Sequence, residues 1–132
     1  MAYPVRDAMV VAYQARGAAC SGDSYVSGIA ALAITAGSGH RLYTVWCART
    51  DGRGAPIVTT TDGKSEPIVW AVGAEADDRL RGFRAETGNE IYTGNGPGGG
   101  MTGLRHFTTI LAGAGRFYVA GDGRVFAFKL PP

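Results

Sequence analysis

A short apolar pattern recurs three times along the chain, and its spacing limits what the chain can fold into. Leu80-Arg81-Gly82-Phe83-Arg84 has counterparts in Ile29-Ala30-Ala31-Leu32-Ala33 and in Val125-Phe126-Ala127-Phe128-Lys129. Each places a small residue between an apolar residue two positions earlier and another immediately after. The small residues stand at 31, 82 and 127, spaced by 51 and 45 residues. That period is too long for a hairpin and suits a repeated unit of four short strands. The chain has 21 glycines in 132 residues, so tight turns are frequent and long helices are disfavoured.

The segment from Asp78 to Tyr92 shows the unit most fully. Leu80 and Phe83 supply apolar bulk, Gly82 leaves a bare spot on the strand, and Thr87-Gly88 supplies a turn, since glycine accepts positive φ without steric penalty. Tyr92 follows four residues after Gly88, which predicts an aromatic ring docked over the bare patch. Trp46 is expected to take the same part in the first unit.

Read in order, the first unit has strands over Ala8–Tyr13, Ile29–Ile34 and Arg41–Cys47, with Arg16–Ser27 as a loop of small and polar residues. Thr50–Gly54 links it to the second. The second unit has four strands, Ala55–Thr60, Pro67–Gly73, Arg79–Arg84 and Glu90–Thr93, with Pro56 and Pro67 at strand starts, where a missing N–H does least harm. Ile68–Gly73 shows little alternation and predicts a strand buried on both faces. Gly94–Gly103 reads as a flexible connection. The third unit has strands over His106–Ala112, Arg116–Ala120 and Arg124–Lys129, and a fourth would begin near Pro131. The expectation is therefore all-β, ten strands grouped three, four and three: a partial blade over 8–50, a complete one over 55–93 and a partial one over 104–130. About two and a half four-stranded antiparallel propeller blades cannot close a ring, so their apolar end faces must be covered by copies of the chain or by further blades.

At this point the residues resemble the tryptophan-docking pattern of quinoprotein (PQQ-type) β-propellers, A-x-D-x-x-T-G-x-x-x-W. Gly82 stands for the Ala, Arg84 for the Asp, Thr87-Gly88 match, and Tyr92 stands for the Trp. Ala112–Phe128 is similar to the closing-blade pattern of bacterial alcohol-dehydrogenase-like members. The resemblance implies fold far more than activity, because the docking motif is architectural. Enzymes of that family hold PQQ and calcium, often beside a vicinal disulfide. This chain has no adjacent cysteines and no calcium-loop spacing of acidic residues, so the expectation is a module without catalytic residues or cofactor. The alternative is a fragment of a PQQ-dependent dehydrogenase.

Other chemistry is sparse in the sequence. Thirteen Lys and Arg against eleven Asp and Glu give a net charge of +2, with no basic run, which argues against a nucleic-acid partner. No stretch reaches the ~18 apolar residues of a membrane helix. No apolar signal segment opens the chain, so an extracytoplasmic location would depend on a signal outside it. Cys20 and Cys47 fit no metal or C-x-x-C pattern. They read either as unrelated thiols or as a disulfide contributing ~3 kcal/mol by closing the loop.

His106 is expected to open an innermost strand, where it could face a central channel as a ligand-binding residue or simply sit on the surface. His40 reads as a solvent-exposed turn residue. Asp77-Asp78 reads as a hairpin loop, with a cation site as the sharper alternative. The aromatic residues on strands, Trp46, Trp70, Phe83, Tyr92, Phe107, Tyr118 and Phe128, read as packing between sheets or as a sugar-binding platform. No G-x-S-x-G or triad spacing suggests a hydrolase.

Overall fold

The computed structural model describes residues 1–20, 25–94 and 100–129. The chain is all-β. Eleven strands among the described residues form three antiparallel sheets, with no helix. The first sheet is a meander of β1 (Ala2–Val5), β2 (Ala8–Ala19), β3 (Tyr25–Thr35) and β4 (Leu42–Arg49). The second follows the same plan with β5 (Ile57–Thr59), β6 (Ile68–Val72), β7 (Leu80–Arg84) and β8 (Glu90–Thr93). The third has β9 (Ile110–Gly113), β10 (Arg116–Gly121) and β11 (Arg124–Lys129), with β10 in the middle. Each strand pairs with its chain neighbour, which is the cheapest topology for a chain punctuated by short turns.

The grouping is four, four and three, not three, four and three. The first sheet has an opening strand, β1, in which Pro4 pairs with Met9. Proline is tolerated there because β1 lies at a sheet edge, where the missing N–H breaks no ladder bond. The stretch Arg16–Ser27 is not all loop either: β2 runs on to Ala19 and β3 begins at Tyr25. The register shifts between Ala15 and Ala18, around Gly17 at φ 68°. A bulge of this kind hides a strand from a reader who looks for strict alternation. Part of that stretch, and Pro131, lie outside the described residues.

The second sheet divides the interior into two cores. Along β6 the side chains alternate, as a pleated strand requires. Val69 and Ala71 face a cluster that includes Val10, Ile29, Trp46 and Phe83. Trp70 and Val72 face the other cluster, with Leu80, Ile110, Phe117 and Val119. The strand is therefore buried on both faces, and its weak hydrophobic alternation has that cause. Each fully buried large apolar side chain contributes about 1.5–3 kcal/mol relative to exposure. Trp70 and Phe117 lie with ring centroids 4.4 Å apart and planes at 57°, joining the second sheet to the third.

The end of the connection Gly94–Gly103 is anchored. Residues 95–99 lie outside the described residues, but Met101 and, just beyond, Leu104 are both 2% exposed and belong to the second core. The Met101 N–H also donates to the Asp78 carbonyl at 2.8 Å. Met101 therefore ties the end of this connection to the β6–β7 loop, and Met101 and Leu104 anchor it in the second core.

Cys20 and Cys47 form a disulfide, with Cα atoms 5.9 Å apart and a sequence separation of 27. It ties the end of β2 to β4 across the intervening β3. Closing a loop of this length contributes about 3–4 kcal/mol in the chain-entropy account.

The bare spot at Gly82 is covered, but by a different ring from the one the sequence suggests. A Cβ on Gly82 would stand 2.6 Å from Cζ3 of Trp70. Tyr92 is the cross-strand partner of Gly82, and its ring meets Trp70 edge-on at 5.6 Å. Trp70 is also the partner of Gly82 on the other side, so the nearer and larger ring takes the space. Gly82→Ala is expected to destabilise by about 1–3 kcal/mol through overpacking against a ring that cannot move. Gly39→Ala, where a Cβ would meet nothing within 4 Å, should change stability by less than about 0.5 kcal/mol. Urea unfolding of the two variants checks this, and equal losses would contradict it.

Candidate functional site

Two places gather the residues that the sequence singles out. The first is a joint between the first and second sheets. Trp46 lies on β4 opposite Ala31, where the small partner leaves room for the indole. Its Nε1–H crosses to the second sheet and donates to the Ala85 carbonyl at 2.6 Å. The Tyr3 hydroxyl, from β1, donates to the same oxygen at 2.8 Å. One carbonyl thus has both lone pairs occupied by donors from the neighbouring sheet.

The turn that follows completes the joint. Thr87 and Gly88 donate their N–H groups to the Arg84 carbonyl, and the Thr87 hydroxyl accepts from the Asn89 N–H at 3.3 Å. Gly88 has φ +72°, and a Cβ there would stand 2.7 Å from the Trp46 ring. Both facts call for glycine. Thr87-Gly88 therefore receives a ring from the preceding sheet, not the ring of Tyr92 from its own. Trp46 is not a copy of Tyr92: it reaches across to the next sheet, whereas Tyr92 packs on Trp70 beside it.

Tyr3 is 3% exposed. Burial pushes its phenol from 10.0 up to about 12, opposed in part by the neighbouring Trp46.

The second place is a polar cleft where loops from all three sheets converge. Two adjoining pockets of about 570 and 550 Å³ share Gln14, Arg16 and Arg53 as lining. Gln14 and Arg16 lie on β2. Arg53 comes from the linker between the first two sheets, and its N–H donates to the Ala74 carbonyl at 2.8 Å. Gly52 has φ +101°, and a Cβ there would stand 2.4 Å from the backbone of Gly73. The linker can lie this close to the β6–β7 loop only as glycine. The Gln14 amide donates to the Gly52 carbonyl at 3.0 Å, so β2 also holds the linker.

Glu75 enters from the β6–β7 loop with φ 63°, its N–H donating to the Asp78 carboxylate at 3.1 Å. His106 enters from the turn before β9. It does not open a strand, because β9 begins at Ile110 and the Thr108 N–H instead closes a turn on the Arg105 carbonyl at 2.7 Å. His106 Nδ1 donates to Glu75 Oε1 at 3.1 Å, and Arg53 stands 3.9 Å from Glu75 Oε2. The hydrogen bond from His106 is the largest influence on the Glu75 carboxyl and holds it below its ordinary range.

The remaining candidates lie apart from both places. His40 is exposed in the β3–β4 turn and donates from Nδ1 to the Thr35 carbonyl at 3.1 Å. Asp77 accepts from the Arg79 N–H and pairs with Arg81. With Asp78 receiving Glu75, both carboxylates serve the β6–β7 loop. Burial raises the Asp78 carboxyl.

Among the described residues no group of three or more His, Cys, Asp or Glu is placed to hold a metal. The cleft offers two carboxylates: Glu75, already shared by His106 and Arg53, and Asp51, which pairs with Arg49. It does not fit calcium, which takes six to eight oxygen ligands.

Sequence reading marks His106 but not Tyr3, Ala85, Gln14, Arg16, Arg53 or Glu75 as partners. The one local signal for the cleft is Gly52-Arg53-Gly54, an arginine between two glycines in a linker. No protein family, curated protein or solved structure matches this chain.

Tyr3 makes the joint testable by pH. Its folded pKa lies above the unfolded value, so its contribution is fully present below pH 10 and is lost as pH rises toward about 12. Ultraviolet absorbance should show a phenolate appearing only near the top of that range and absent from Tyr3→Phe. The variant should also lack part of the alkaline loss of stability. Identical titration curves for the two proteins would contradict the buried joint.

Proposed function

We propose that this chain is a non-enzymatic, propeller-type module that acts as a scaffold or self-assembling subunit, its sheets stacking as blades against further blades or other copies of itself. The observation that carries this reading is the difference between the middle sheet and the outer two. The second sheet is covered on both faces. The free face of the first carries the cross-strand row Pro4, Met9, Ile34 and Leu42, of which Met9, Ile34 and Leu42 are 46%, 38% and 70% exposed. The free face of the third carries Leu111 and Val125, 67% and 66% exposed.

Single exposed apolar residues are ordinary, but a row of them across three adjacent strands is a surface made for burial. The meander order of each sheet and the ring-to-glycine contact between successive sheets support the blade reading, as does the resemblance of Arg79–Tyr92 to the quinoprotein docking pattern. By analogy with β4 and β8, the open edge of β11 would take a fourth strand. An oxidising, extracytoplasmic compartment belongs to the same proposal, and the Cys20–Cys47 bridge is compatible with it.

Size-exclusion chromatography with light scattering, with and without reductant, tests the reading. A discrete oligomer is expected, and Leu42→Glu or Leu111→Glu should shift it toward monomer while circular dichroism stays unchanged. A folded, soluble monomer at all concentrations would overturn it.

A further inference from the structure

The cleft between the three sheets has a use that sheet stacking does not require. We infer that it is a binding site for a small doubly charged oxyanion of the phosphate class. Its volume of about 550 Å³ lies in the range of small-ligand sites. The nitrogen-bearing side chains arrive from three separate elements: Arg16 from β2, Arg53 from the linker, and His106 from the turn before β9. Two arginines and an imidazole brought to the same space from three elements form a built arrangement, not a run of charge along one solvated face.

The charge balance supports the same conclusion. The pocket that Arg16, Arg53 and His106 line together has Gln14, Gly54 and Ala55 as its other walls, with no acidic residue. Glu75 stands at its border, where it takes the His106 hydrogen bond and fixes the ring, with Arg53 at 3.9 Å. Asp51 lines the adjoining pocket and pairs with Arg49 at 3.9 Å. Among the described residues Arg16 has no carboxylate partner. The pocket itself therefore carries two arginines and no lining carboxylate, and those arginines present planar forks suited to oxyanions.

Preorganisation is the second argument. The backbone of Arg53 is held by its N–H bond to Ala74 and by the close approach of Gly52 to Gly73. Gln14 is held by its bond to the Gly52 carbonyl. A ligand would meet a linker already ordered and would not have to order it.

The test is a titration of the full-length chain with inorganic phosphate at constant ionic strength, followed by amide and imidazole NMR shifts. Saturable shifts are expected at Gln14, Arg53, Ala74, Glu75 and His106. Arg16→Gln and Arg53→Gln should each weaken binding by about tenfold, the effect of losing one charge-assisted hydrogen bond. Arg116→Gln, a substitution of an exposed arginine on β10, should leave it unchanged and serves as the control for folding and for bulk charge. Non-saturating shifts, equal loss in all three variants, or the same response to added chloride would overturn the site. Tighter binding of malonate than of phosphate would overturn the phosphate class. This site does not rest on the assembly reading, since a monomer could bind the anion and an oligomer could fail to.

Discussion

The carbonyl of Ala85 receives the Trp46 indole N–H and the Tyr3 hydroxyl, and the order of the first two sheets depends on that junction. An aromatic N–H or O–H taken into an apolar core without a partner carries a penalty of about 1–3 kcal/mol. Here two such groups share one acceptor, so the two sheets can approach only in the register that brings that oxygen to both donors. The indole then has a face to cover, and Gly88 lies beneath it because no side chain fits there. Apolar burial supplies the driving force for stacking. The polar junction decides which stacking is satisfied.

The second core is joined differently. Trp70 and Phe117 meet ring to ring, while the Trp70 N–H turns back to the Thr59 hydroxyl of its own sheet at 2.8 Å. In that core packing connects the second sheet to the third, with Met101 and Leu104, while hydrogen bonds from Met101 N–H to Asp78 and from His106 to Glu75 join the loops at its edge. The middle sheet thus carries one specific, hydrogen-bonded face and one that is mainly shape. Gly82 and Gly88 serve the two faces separately: the first makes room for a tryptophan within its own sheet, the second for a tryptophan from the neighbour.

The cleft follows from the same stacking. Wherever two sheets meet, the linker between them must run over the joint, and here it is zipped to the β6–β7 loop by Arg53 N–H and by the bare backbone of Gly52. That zipping turns Arg53 toward Glu75 and His106, which arrive from loops far away in sequence. A surface with few motifs thereby acquires a small polar centre without any of the spacing patterns that mark metal or phosphate sites in other chains.

Local chemistry alone determined much of this protein. Abundant glycine, short apolar runs and the 45- and 51-residue spacing are enough to demand short antiparallel strands in repeated units. The two-faced burial of Ile68–Val72 follows from its near-continuous hydrophobicity, and the Thr87-Gly88 turn from glycine's tolerance of positive φ. The opening strand Ala2–Val5 was not legible, because a proline at a sheet edge looks like a break until its partner strand is known. The extension of β2 was hidden by a bulge at Gly17. Only the tertiary structure decided which ring covers which glycine, because Trp70 and Trp46 reach Gly82 and Gly88 through neighbouring strands and sheets, not along the chain. It alone brought Gln14, Arg16, Arg53, Glu75 and His106 together. Pattern in a sequence reports periodicity and turn chemistry, whereas contact between residues far apart in the chain depends on how sheets stack, which no local spacing encodes.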